Sequence, residues 1–135
     1  MNYSGSGTAY VRKIVVKVTY EEPEWKGPPS ITSITNNNNG EFTINWTAAD
    51  WSGNKDLVCY EVVTYQNGEQ TFISDFYYDL TGTFGIDKYD TPLTFIIRAS
   101  EYAWSDNQID SASYEFTFHS PTLSAPTISI SPIQG

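Results

Sequence analysis

The chain is 135 residues long, with seven Lys and Arg against sixteen Asp and Glu and a net charge of −9. That length suits one domain burying roughly 65–70% of its unfolded surface, and so acidic a chain repels phosphate backbones, which excludes nucleic acid as a partner. A single Cys59 rules out an internal disulfide or a Cys-rich zinc site, and a single His119 rules out a multi-histidine metal centre.

Thr 15, Ile 12 and Tyr 10 stand against Leu 4 and Ala 7, a balance that suits a pleated surface and predicts an all-β fold. Residues 1–9 read as a Gly/Ser-rich lead. Residues 10–20 alternate as a strand, with Lys13, Val15 and Lys17 on one side and Ile14, Val16 and Val18 on the other. Pro23, Pro28 and Pro29 lack the amide donor of a ladder, so residues 21–29 are expected to interrupt the sheet. The expected organisation is an N-terminal arm with one strand over 1–27, a sandwich over 28–119 and an extended tail over 120–135.

Within 28–119 the turn signals are regularly spaced. Strands are predicted at Ser30–Thr35, Glu41–Thr47, Leu57–Gln66, Glu69–Ser74, Phe76–Phe84, Pro92–Ser100 and Asp110–Phe118. Phe42, Ile44 and Trp46 share one face of the second, and Leu93, Phe95, Ile97 and Ala99 one face of the sixth. Asn67-Gly68 is the residue pair preferred in a type I′ hairpin turn. Seven strands at this spacing predict a two-sheet antiparallel sandwich.

The tail from Ser120 carries Pro121, Pro126 and Pro132 among Leu123, Ile128, Ile130 and Ile133. Such a segment is extended and its apolar residues have no core of their own. The basic groups Arg12, Lys13 and Lys17 give residues 1–20 a charge of +3, whereas residues 21–135 hold four basic and sixteen acidic groups, or −12. A basic arm on an acidic body can draw in an acidic partner, another copy of the chain included. Arg12, Lys13, Ile14, Val16, Lys17, Val18, Ile128 and Ile130 are therefore the expected partner-contacting residues of the two arms; docking of the ends on the chain's own body is the alternative. No membrane partner is expected, since the longest strictly apolar runs, Ile14-Val15-Val16 and Phe95-Ile96-Ile97, cannot span a bilayer. Met1–Thr8 lack a basic stretch followed by an apolar one, so no export signal is expected.

The run Ile44-Asn45-Trp46-Thr47-Ala48-Ala49-Asp50, then Gly53, Tyr60-Glu61-Val62 and Asn67-Gly68, resembles the B–C–C′ segment of a fibronectin type III domain, within the broader class of immunoglobulin-like sandwiches. Phe95–Ser100 and Ser111–Phe118 are similar to that family's F and G strands. The resemblance covers Pro28 to Phe118 and implies a seven-stranded antiparallel sandwich. Leu93 stands where the family usually has a corner tyrosine, so the corner Ile86–Pro92 must be fastened otherwise. Members serve as spacers, adhesion modules and appendages, on bacterial polysaccharide-degrading enzymes and on tailed-phage virions among others.

Chemistry is sparse. His119 sits beside Ser120, but no Gly-x-Ser-x-Gly turn exists to expose a serine, and His119 reads as a surface or packing residue. Cys59 lies mid-strand between Val58 and Tyr60 with no basic neighbour, which marks an inert small hydrophobe. Asp50, Ser52, Asn54 and Asp56 alternate like the start of a calcium loop, yet Gly53 is misplaced, no bidentate Glu follows and Lys55 adds positive charge. No catalytic residue, metal or cofactor is expected.

The candidate binding surface is aromatic. A sandwich brings loops 48–56 and 101–109 to one pole with the 74–76 connection, gathering Trp51, Tyr102, Trp104 and Tyr77. Such rings stack on sugar faces, anchor a protein interface, or merely cap the core. The functional expectation is a non-catalytic structural module. It would be an accessory (decoration, head-fibre or tail-associated) protein on the surface of a tailed-phage virion, attached through its arms to other structural proteins or to copies of itself. The alternative is a carbohydrate- or surface-binding accessory module of a secreted bacterial polysaccharide-active or adhesion protein, located outside the cell.

Overall fold

Ten strands account for most of residues 20–121, which the computed structural model describes. The expected strand over 10–20, Tyr20 apart, and the tail from Thr122 onward lie outside those residues. In chain order the strands are β1 Trp25–Gly27, β2 Ser30–Asn36, β3 Glu41–Thr47, β4 Asp50–Trp51 and β5 Cys59–Gln66, with a 3-10 turn at Lys55–Leu57 before β5. Then follow β6 Glu69–Ile73, β7 Thr81–Gly85, β8 Pro92–Ser100, β9 Gln108–Asp110 and β10 Tyr114–Thr117. All pairings are antiparallel. One sheet runs β2-β3-β7, a second runs β10-β8-β5-β6 with β9 also on β8, and β1 pairs with β4 alone.

Period-2 alternation builds the core. Phe42, Ile44 and Trp46 of β3 face Tyr60 and Val62 of β5 and Leu93, Phe95 and Ile97 of β8, and all are buried. Phe42 meets Phe95 with ring centroids 5.6 Å apart, and Trp46 meets Tyr60 at 5.9 Å, so the two larger sheets pack face to face. The buried Tyr60 hydroxyl accepts the Ala49 N–H at 3.0 Å and ties the loop after β3 to β5. At the hairpin, Asn67 and Gly68 both adopt positive φ, 53° and 83°, as a type I′ turn requires.

The strand count departs from the expected seven for two physical reasons. First, prolines flank Trp25–Gly27 instead of interrupting it, so β1 forms a short ladder with β4. Second, both edge strands of the larger sheet break at a buried serine. Ser74 donates its N–H to Val62 O and accepts the Val62 N–H on Oγ at 2.8 Å. Ser111 treats Ile97 in the same way, its Oγ accepting at 2.9 Å. Beyond these breaks the expected strand 76–84 is reduced to a Tyr60–Tyr77 bridge and β7, and the expected strand 110–118 is divided into β9 and β10.

The corner after β7 is fastened by Asp90, at φ 59°. Its N–H donates to Phe118 O at 2.6 Å, and its carboxylate accepts from Ser120 N–H and Oγ–H. These bonds fasten the corner Ile86–Pro92. Ser120 bonding holds the Asp90 carboxyl below its ordinary value of 3.8. A depressed carboxylate stabilises the fold above its unfolded pKa and loses that contribution as pH falls through the folded one. Asp90→Asn is therefore expected to weaken the corner at neutral pH and to flatten the acid limb of a stability–pH curve below 3.8, followed by urea denaturation.

Glu61 has the opposite sign. It lies on the outer face of the larger sheet opposite Arg98, which makes a two-pronged ion pair with Asp110 at 2.9 and 3.3 Å. Burial raises the Glu61 carboxyl above 4.5, against the pull of Arg98. A raised carboxyl is a contribution present at low pH and lost as pH climbs through the folded pKa. Glu61→Gln is expected to match or exceed the parent in stability at pH 7 and to remove the decline above 4.5, because Arg98 keeps Asp110.

Candidate functional site

Three connections converge at one end of the two packed sheets: residues 48–58, 74–80 and 101–107. The contacts that join them are aromatic and polar. Phe76 and Trp104 meet edge to face with centroids 4.9 Å apart, and Trp25 Nε1–H donates to Asn107 Oδ1 at 3.1 Å. Loop 101–107 is organised around buried Ser105. Its Oγ–H donates to Glu101 at 3.0 Å and its oxygen accepts Asn107 N–H at 3.0 Å, while its own N–H donates to Tyr102 O at 3.0 Å.

That scaffold holds Trp104 outward, 85% exposed, on a left-handed backbone with φ 72°. A bulky residue is uncommon in that conformation. Tyr102, two positions earlier, is half exposed, and Tyr78 on the neighbouring connection is exposed as well. The structure separates the other two expected ring residues from this group. Trp51 is only 3% exposed and lies under Trp25 at 4.6 Å, so its ring belongs to the packed interior. Tyr77 is half-buried, bridges to Tyr60 through both main-chain bonds and turns its ring onto Phe84 at 5.6 Å. Asn107 and Ser105, which set the loop's shape, carried no signal in the sequence beyond being polar loop residues.

The pole is also acidic. Asp50, Asp56, Asp75, Asp79, Glu101 and Asp106 lie on the three connections against Lys55. Lys55 Nζ is spent on Trp51 O at 2.6 Å and Asp50 at 3.5 Å. The ammonium thus engages one oxygen of the calcium-loop pattern, that of Asp50, and Asn54 Oδ1 caps the following turn by accepting Asp56 N–H.

At the other end His119, Asp90 and Ser120 are close, a trio whose residue types suggest a hydrolytic triad. The order is wrong for one, since Ser120 Oγ–H donates to Asp90 and His119 is 81% exposed, 3.6 Å from the same carboxylate. Cys59 is buried, and desolvation with a lesser push from Glu61 raises its thiol to about 11, which suppresses the thiolate at neutral pH. Arg12, Lys13, Ile14, Val16, Lys17, Val18, Ile128 and Ile130 lie outside the described residues. No family model matches the chain, and no curated protein matches it. Fold and pole together define an all-β protein of antiparallel sheets packed face to face that bears a small aromatic and acidic pole.

Proposed function

We propose that the chain is a non-catalytic interaction module of the fibronectin type III or immunoglobulin-like kind. We take it to be an accessory protein of a tailed-phage virion that binds its partner at the aromatic pole. The strand orders β2-β3-β7 and β10-β8-β5-β6 support the first part, because they match a three-plus-four arrangement of sandwich strands. The observation that carries partner binding at the pole is Trp104, held out on a positive φ by a hydrogen-bonded loop. Backbone strain maintained by its surroundings is a mark of sites that serve a ligand. The carboxylates around the ring favour a basic partner, whose Lys or Arg can sit over the indole face. The +3 stretch of residues 1–20 in another copy has that character.

Sedimentation velocity over a wide concentration range, at low and high salt, tests this reading. Self-association that weakens with salt and is lost in Trp104→Ala is expected. A species that stays monomeric throughout, with residues 1–19 freely clipped by protease, would overturn attachment through another copy. The exposed pair Trp104 and Tyr102 also favours a second reading, stacking on a neutral glycan. It predicts tryptophan fluorescence changes with neutral polysaccharide that vanish in Trp104→Ala, and a flat titration removes it.

A further inference from the structure

We propose that the chain's own residues 127–131 dock along the free edge of β7 and bury Ile128 and Ile130 in a groove between β6 and β7. At the end opposite the aromatic pole, where Phe72 of β6 meets Phe84 of β7 edge to face at 5.6 Å, the two sheets leave a cavity of about 490 Å³ lined by those rings and by Phe42, Leu93 and Phe118. The cleft opens to solvent and is large enough for a pair of aliphatic side chains. Among the described residues β7 pairs only with β3 and β6 only with β5, so both strands flanking the groove are sheet edges. The β7 sequence Thr81-Gly82-Thr83-Phe84-Gly85 has no charge and no proline. Natural edges are guarded by one or the other, or are covered.

The occupant follows from where the described chain ends. Phe118 lines the groove, and three residues later Pro121 stands with Tyr89 and His119 at the same end of the body. The six steps from Pro121 to Thr127 reach up to roughly 20 Å, enough to reverse direction and run antiparallel to β7. Thr127-Ile128-Ser129-Ile130-Ser131 alternates with period 2, so both isoleucines fall on one face of an extended segment. Residues 122–135 carry no charge, which suits an apolar groove whose rim offers one group of each sign, Asp87 and Lys88. Closing so short a loop costs less than recruiting a second molecule, which favours the chain's own tail over another copy's.

Full-length chains carrying Thr71→Cys, paired in turn with Ile128→Cys or Ile130→Cys, the positions whose side chains enter the groove, are oxidised at low concentration. Thr71 lines the groove and is exposed, while native Cys59 is buried and stays reduced. The expected result is an intramolecular disulfide in most molecules for at least one pair, read by intact mass and the linked peptide. A control pair on β2, Ser30→Cys with Ile130→Cys, should give at least fivefold less. Linked dimers in place of linked monomers would assign the groove to another copy's tail, and equal or absent linkage in both designs would mean that the tail does not dock. Either outcome overturns the proposal. As a second measurement, Ile128→Ser/Ile130→Ser in the full chain should raise binding of an apolar fluorescent dye severalfold; unchanged binding counts against it as well.

Discussion

Trp51→Ala is expected to lower the unfolding free energy by about 3–5 kcal/mol, whereas Trp104→Ala changes it by no more than about 1 kcal/mol. Trp51 is 3% exposed and supports Trp25, so truncation opens a cavity that β1 and β4, a ladder of two paired positions, cannot collapse to fill. Trp104 has one described aromatic neighbour, Phe76, and is otherwise in water. Its positive φ sharpens the contrast. Trp104→Gly removes a side chain from a backbone conformation that glycine adopts freely, and is expected to equal or exceed the parent in stability. Equilibrium guanidinium unfolding of the three variants checks these values. If Trp104→Ala proved as damaging as Trp51→Ala, the ring would be a core residue and the pole would lose its claim to be a binding surface. Partner binding should follow the reverse order. Trp104→Ala and Trp104→Gly abolish it while the fold persists, and binding by Trp51→Ala fails only in proportion to the protein unfolded.

These two tryptophans also mark how far the sequence can be read. Both stand in polar loops and both precede a serine, so nothing local distinguishes the buried ring from the exposed one. The distinction comes from Trp25, which covers Trp51 and whose indole N–H reaches Asn107, 82 positions away. Where one face of a strand is buried, by contrast, alternation specifies both element and register. β3 and β8 span Glu41–Thr47 and Pro92–Ser100, the bounds their patterns predict. Between Ser111 and Phe118 the same logic misleads. The alternation of Tyr114, Phe116 and Phe118 projects back through Ala112 without a visible fault, although the ladder stops at Ser111. The corner is a further case of a need legible without its solution. Leu93 offers the corner no side-chain hydrogen bond, and Asp90 becomes a fastener only because β10 brings Ser120 alongside.

The two edge serines carry the remaining large prediction. In each, a hydroxyl oxygen stands in for a main-chain carbonyl, accepting the amide of Val62 or Ile97 while donating onward to Asp75 O or Ala112 O. Alanine leaves those amides buried with no acceptor, at a cost of about 1–3 kcal/mol each. The two serines lie on opposite edges of one sheet, but the residues they hold, Val62 and Ile97, are register partners across β5 and β8, so the double variant should depart from the sum by about 0.5 kcal/mol or more. Hydrogen exchange assigns each effect to its site. Protection at the Val62 amide falls in Ser74→Ala, and protection at the Ile97 amide falls in Ser111→Ala, each without the other. Ser74 bears on the pole as well, because it anchors the start of the connection that carries Phe76 and Tyr78. Ser74→Ala should therefore weaken partner binding beyond its effect on folding, and Ser111→Ala should not. Equal binding by the two variants at matched folded fraction would mean that Phe76 takes no part in positioning Trp104.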